Sequence, residues 1–145
     1  MSTRIVLCMF ALAIAGCPIG PKPADFGPAG MRVELSLTKS LPLAPPGVEA
    51  DLSGELLSAD SSGLVVRLET MEANRLRSKI LRIEYAVISS GKVQRTQARP
   101  GPKPPTPDDL ARLRQVSRYP QGISHELMAK LLGAYGQDSL LRVSR

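Results

Sequence analysis

The chain has 145 residues with 13 prolines, 12 glycines and 3% aromatic side chains, so it has room for one modest domain with a core of Leu, Val and Ile. Its 43% hydrophobic content excludes a wholly disordered chain. The net charge of +6 is uneven: residues 17–91 carry eight Lys/Arg against nine Asp/Glu, and residues 92–145 carry ten against four. That excess suits anionic lipid, cell-wall polymer, nucleic acid or an acidic protein, although a solvated basic surface explains it equally simply.

Residues 1–16 have the pattern of an export leader. Arg4 supplies the positive start, and residues 5–15 supply an apolar run. That run is shorter than the roughly 20 apolar residues of a membrane span. Small Ala15 and Gly16 then meet Cys17, and Pro18 opens a different composition. The sequence Ile14-Ala15-Gly16-Cys17 resembles the lipobox of bacterial lipoproteins.

The resemblance implies that the leader is removed, that a diacylglyceryl thioether forms on Cys17, and that the new amino terminus is acylated. The chain would then sit in the cell envelope, on the periplasmic side of an outer membrane where the organism has one. A single acyl chain binds only marginally. Each buried methylene adds about 0.8 kcal/mol, so two or three chains make a lasting anchor. An ordinary cleaved leader with Cys17 incidental, or an uncleaved N-terminal anchor, are the alternatives. Cys8 lies in the part that would be lost, which leaves one cysteine and no internal disulfide.

Residues 17–30 read as a tether, because repeated Pro and Gly forbid both helix and central strand. From residue 31 the pattern changes. Val33, Leu35 and Leu37 alternate with Glu34, Ser36 and Thr38, the period-two signature of a strand with one buried face. Residues 40–47, with three prolines, predict a loop. Val48, Ala50 and Leu52 alternate again, with a bend or bulge at Gly54. A turn at 60–63 leads into an apolar strand at 64–68. A polar stretch at 72–78 precedes a long strand at 80–88, a turn at 89–91 and a last short strand at 92–96.

These strands and turns over residues 31–96 predict a mainly β fold, a small antiparallel barrel. The bent strand after Gly54, the turn at 60–63 and the aliphatic run at 83–88 resemble the Sm-like, SH3-like barrels. The RNA-binding role of that family does not carry over. An exported chain would not meet RNA routinely, and Tyr85 is the only aromatic residue in the strand region.

Residues 97–106 form a proline-rich linker that ends in a helix start. Thr106 caps, Pro107 suits the first helical position, and Asp108 and Asp109 favour the positive end of the dipole. Leu110, Leu113 and Val116 share one face, and Pro120 ends the helix. Ser124 is the next cap, with Ile123 and Met128 as a hydrophobic staple. Leu127, Leu131 and Tyr135 form a stripe that Gly136 stops. Residues 107–145 thus predict a two-helix hairpin tail, whose apolar stripes suit packing better than membrane contact despite Arg112, Arg114, Arg118 and Lys130.

The chemistry-bearing residues are sparse. His125 is the sole histidine, and its place at a helix start predicts a surface residue rather than a metal ligand. Asp108 and Asp109 are neighbours that point apart on a helix, so capping explains them better than paired acid chemistry. No serine sits in a nucleophile-elbow spacing, and no phosphate-binding glycine loop occurs. The expectation is a non-enzymatic envelope lipoprotein, a binding or structural component, with no catalytic residue, metal or cofactor. Its partners would be membrane lipid through Cys17 and an envelope protein, not nucleic acid. The alternative is an accessory subunit of a secretion or transport assembly that docks through its helical tail.

Overall fold

The computed structural model describes residues 29–38 and 51–145. The leader, Cys17, most of the tether, the loop expected at 40–47 and the alternation at Val48 and Ala50 lie outside the described residues. Alternation decides the first strand. In β1 (Arg32–Leu37), Val33, Leu35 and Leu37 are buried while Arg32 and Glu34 are exposed. β2 (Asp51–Ala59), β3 (Gly63–Glu72), β4 (Arg75–Glu84) and β5 (Ile88–Val93) follow, and β6 (Leu141–Val143) closes the chain. They form one six-stranded sheet in the order β5-β1-β2-β3-β4-β6.

The mainly β expectation holds, but the sheet is not a closed antiparallel barrel. It is a curled half-barrel of mixed sense, because β6 pairs in parallel with β4 at Leu81–Ile83 while every other pair is antiparallel. β5 and β6 are therefore its two edges. A three-residue strand with the sequence Leu-Arg-Val carries too little pattern to be seen in advance. It pairs because β4 offers it an edge.

Three stretches also differ from expectation. The polar stretch at 72–78 is not a break: β3 and β4 pair continuously from Gly63↔Glu84 to Glu72↔Arg75. The turn sits at Ala73 and Asn74, both with positive φ (48° and 59°), the backbone of a type I′ hairpin. Ladder hydrogen bonds carry the ribbon where no apolar alternation marks it. In turn, the expected strand at 80–88 breaks at a 3₁₀ turn, Tyr85–Val87, which buries Tyr85, Val87 and Ile88 together at a corner. The expected turn at 89–91 is strand, and Gly91 serves close packing instead. A Cβ there would lie 2.6 Å from Leu35 Cδ2 and 3.0 Å from Pro100.

The sheet has a core on each face. Leu35, Leu56, Val66, Ile83 and Val87 meet on the inner face, and α1 (Pro107–Val116) adds Leu113, with Leu110 and Val116 packed alongside. Leu57, Val65 and Ile80 meet on the outer face under α2 (His125–Ala134), which adds Leu131 and the partly buried Leu127 and Met128. Leu57 faces the outer core by simple alternation after Leu56, and a bulge between Leu56 and Ser58 then shifts the parity and returns Ala59 to the inner one.

Both helix starts follow the capping chemistry. Thr106 Oγ1 accepts from the Asp109 N–H and Ser124 Oγ from the Leu127 N–H, each at 3.2 Å. Gly136, at φ 65°, follows α2. The tail is not a hairpin set apart, because its helices lie on opposite faces of the sheet. Between them, Arg118 N and Tyr119 N donate to the Leu56 and Leu57 carbonyls at 3.0 and 2.8 Å, so the connection runs along β2.

Candidate functional site

The polar centre of the molecule is Glu55, on the outer face of β2 and 8% exposed. Its Oε1 accepts from the Gly30 N–H at 2.8 Å and lies 3.1 Å from Arg118 Nε, while Oε2 accepts from Arg67 Nε at 2.8 Å. Three distant segments thus meet on one carboxylate: the chain entering β1, strand β3 and the connection after α1. Gly30 is required there, because a Cβ would collide with the Leu56 carbonyl oxygen.

Arg67 extends the network. Its Nη1 donates to Glu69 Oε1 at 3.0 Å and to Ser78 Oγ at 3.2 Å, and its guanidinium lies 5.7 Å from the centre of the Tyr135 ring. Burial pushes the Arg67 pKa down, but hydrogen bonding and charge from Glu55 outweigh it and hold the group above its ordinary value. Burial likewise pushes the Tyr119 phenol up. A charge network this dry is stabilising only while every member stays paired.

Beside Glu55 the outer face forms a groove of about 480 Å³, whose lining includes Ala29, Arg32, Ser53, Glu55, Arg67 and Leu76. Arg32 lies 3.7 Å from Glu34. Each of these charged side chains, Arg32, Glu55 and Arg67, is thus engaged in an ion pair, which suits shape and docking better than an acid–base step.

A second network sits at the far end of β3. Asp60 Oδ1 accepts from the backbone N–H groups of Ser62 and Gly63 at 2.8 and 3.1 Å, closing the turn. Arg82 Nη2 donates to Oδ1 and Oδ2 at 3.0 and 2.7 Å, and Tyr85 Oη donates to the Asp60 carbonyl at 3.0 Å. Burial raises the Asp60 pKa, but the Arg82 and Ser62 hydrogen bonds outweigh it and hold the carboxyl below its ordinary value. Desolvation pushes the Tyr85 phenol well above its own.

The residues singled out from sequence disperse. Cys17 lies outside the described residues. His125 is exposed at the first turn of α2, and Asp109 caps α1 together with Thr106. The basic residues of the tail do not act as a block: Arg118 serves Glu55, Arg114 Nε donates to the Ala59 carbonyl at 3.2 Å, and Lys130 pairs with Glu126 at 2.9 Å. Among the described residues, no three His, Cys, Asp or Glu side chains group as a metal site, and no helix is long and apolar enough to cross a membrane. The Glu55 network was missed from sequence. Its only local sign is a charged residue on a strand flanked by Leu52, Leu56 and Leu57.

No family model, curated protein or solved structure matches this chain.

Proposed function

We propose that this chain is a lipid-anchored protein of the bacterial cell envelope that acts as a non-enzymatic binding or structural component. The observation that carries the reading is the order Ile14-Ala15-Gly16-Cys17, then eleven Pro- and Gly-rich residues, then the folded domain from Ala29. The physics supports that order. Acyl chains on Cys17 would hold the protein on the bilayer, and the length of the spacer would give the domain reach.

The antiparallel meander from β1 to β5, with β5 returning to pair with β1, supports a kinship in architecture with the Sm-like and SH3-like barrels. Such small sheets serve as binding scaffolds in many settings, and the groove beside Glu55 is one concave surface that this sheet offers. The other reading, an accessory subunit docking through its tail, would have to use the exposed sides of α1 and α2, since their apolar sides are engaged with the sheet.

The anchor is tested on the expressed full-length chain by intact mass and detergent partitioning. A mature product beginning at Cys17 with acyl mass is expected, and Cys17→Ser should yield an uncleaved precursor that keeps residues 1–16 and carries no acyl mass. A wild-type product that starts elsewhere or lacks acyl mass overturns the reading.

A further inference from the structure

The β3–β4 hairpin extends beyond the rest of the sheet. β2 pairs with β3 only as far as Gly54↔Leu68, and β6 pairs with β4 only at Leu81–Ile83. From Glu69 to Lys79 the two strands are a ribbon of their own. A two-stranded ribbon in water is marginal by itself. This one carries at its end Met71 and Leu76, which are 67% and 64% exposed and lie directly across the ribbon from each other. Cross-strand partners share a face, so the two side chains form one apolar spot. Neither belongs to either core. Arg75 stands next to the turn, with Arg77 and Lys79 following, against Glu69 and Glu72.

The exit of the chain says what this spot faces. Gly30 is bound to Glu55, and Ala29 lines the same groove as Leu76, so the chain leading back to Cys17 leaves the domain beside the ribbon. Eleven residues separate Cys17 from Ala29. At roughly 3.3–3.6 Å per residue they span about 40 Å when fully extended and less otherwise. On the lipid-anchored reading, the ribbon therefore stands beside the point where the tether enters the domain.

We propose that the tip of the β3–β4 hairpin is a lipid contact, with Met71 and Leu76 entering the interface of an anionic bilayer and Arg75 lying among its headgroups. The inference rests on the lipid-anchored reading. Two apolar side chains and a small positive excess bind weakly alone, but a tether multiplies a weak contact by keeping its effective concentration high. The contact would orient the domain, leaving the Asp60 turn, at the other end of the ten-residue β3, directed away from the membrane.

The test uses the full-length chain in a Cys8→Ala background, with its mature product reconstituted in vesicles of phosphatidylethanolamine and phosphatidylglycerol. An environment-sensitive fluorophore is placed on Ala73→Cys at the tip or, as control, on Ser61→Cys at the opposite end of β3. Lipids with nitroxide-bearing acyl chains should quench the tip label and not the control, and Met71→Ser with Leu76→Ser should remove the quenching. Equal quenching at both positions, or none at the tip, overturns the proposal. Emission that shifts only with protein density assigns the spot to a second copy and overturns it too. Intact mass of the same sample reports the acyl chains separately. An unacylated product also takes the label on Cys17, so there the reading is the part of the quenching that Met71→Ser with Leu76→Ser removes: its presence supports the lipid contact while removing the anchor, and an acylated product without tip quenching does the reverse.

Discussion

The side-chain amide of Gln137 occupies the place of a strand residue against Ile80. Its Oε1 accepts from the Ile80 N–H and its Nε2 donates to the Ile80 carbonyl, both at 2.8 Å. Immediately beyond, β6 takes over the pairing with β4 from Leu81. One side chain therefore extends the outermost strand of the sheet by a residue and satisfies two peptide groups that the short β6 does not reach.

Gln137→Ala should leave both Ile80 peptide groups without this partner and lower stability by about 1–3 kcal/mol. Urea unfolding followed by circular dichroism measures it. Gln137→Glu keeps the acceptor but turns a carboxylate oxygen toward the Ile80 and Ser139 carbonyls, so a loss at least as large as that of Gln137→Ala is expected. A midpoint unchanged by either substitution would mean that water replaces the amide at no cost.

Glu55 makes a sharper case, because it neutralises two guanidinium groups out of solvent. Glu55→Ala breaks a buried ion network from its centre, which costs about 3–5 kcal/mol. Glu34→Ala is the matched control on the neighbouring strand. Glu34 is exposed and 3.7 Å from Arg32, so its loss should cost about 0–1 kcal/mol. Similar denaturation midpoints for the two variants would remove Glu55 from the centre of the architecture.

A chain ending at Pro105 loses Leu113 from the inner core, Leu131 from the outer core, and the pairing of Gln137 and β6 with β4. Each buried leucine contributes about 1.5–3 kcal/mol, a large share of the margin of a domain this size. The truncated protein should therefore show no cooperative unfolding transition and no dispersed amide spectrum. A folded product would mean that the tail is a separable unit after all.

Acid sensitivity follows from Asp60. Its folded pKa is depressed below the ordinary 3.8, so the carboxylate form is favoured by folding. The stability it contributes is fully present above that ordinary value and is lost as pH falls below it, through the folded pKa. Asp60→Asn should lower stability at neutral pH and flatten the decline below about pH 4, as read from urea unfolding across a pH series. Parallel curves for variant and wild type would assign the acid limb to other carboxylates.

What the sequence determined by itself was local. Thr106, Pro107 and Ser124 start their helices because a cap bonds within three residues, and Val33, Leu35 and Leu37 define a strand because alternation is a property of neighbours. Tertiary structure alone decided which face each helix covers. Leu113 and Leu131 occur in similar stripes, and only the path along Leu56 and Leu57 sends one inward and the other outward. The same holds for the Glu55 network and for the Gln137–Ile80 pair, whose members are 57 residues apart. The long hairpin escaped notice because its end has no buried face to impose a pattern, and its backbone pairing, which any residue type can make, holds it in place.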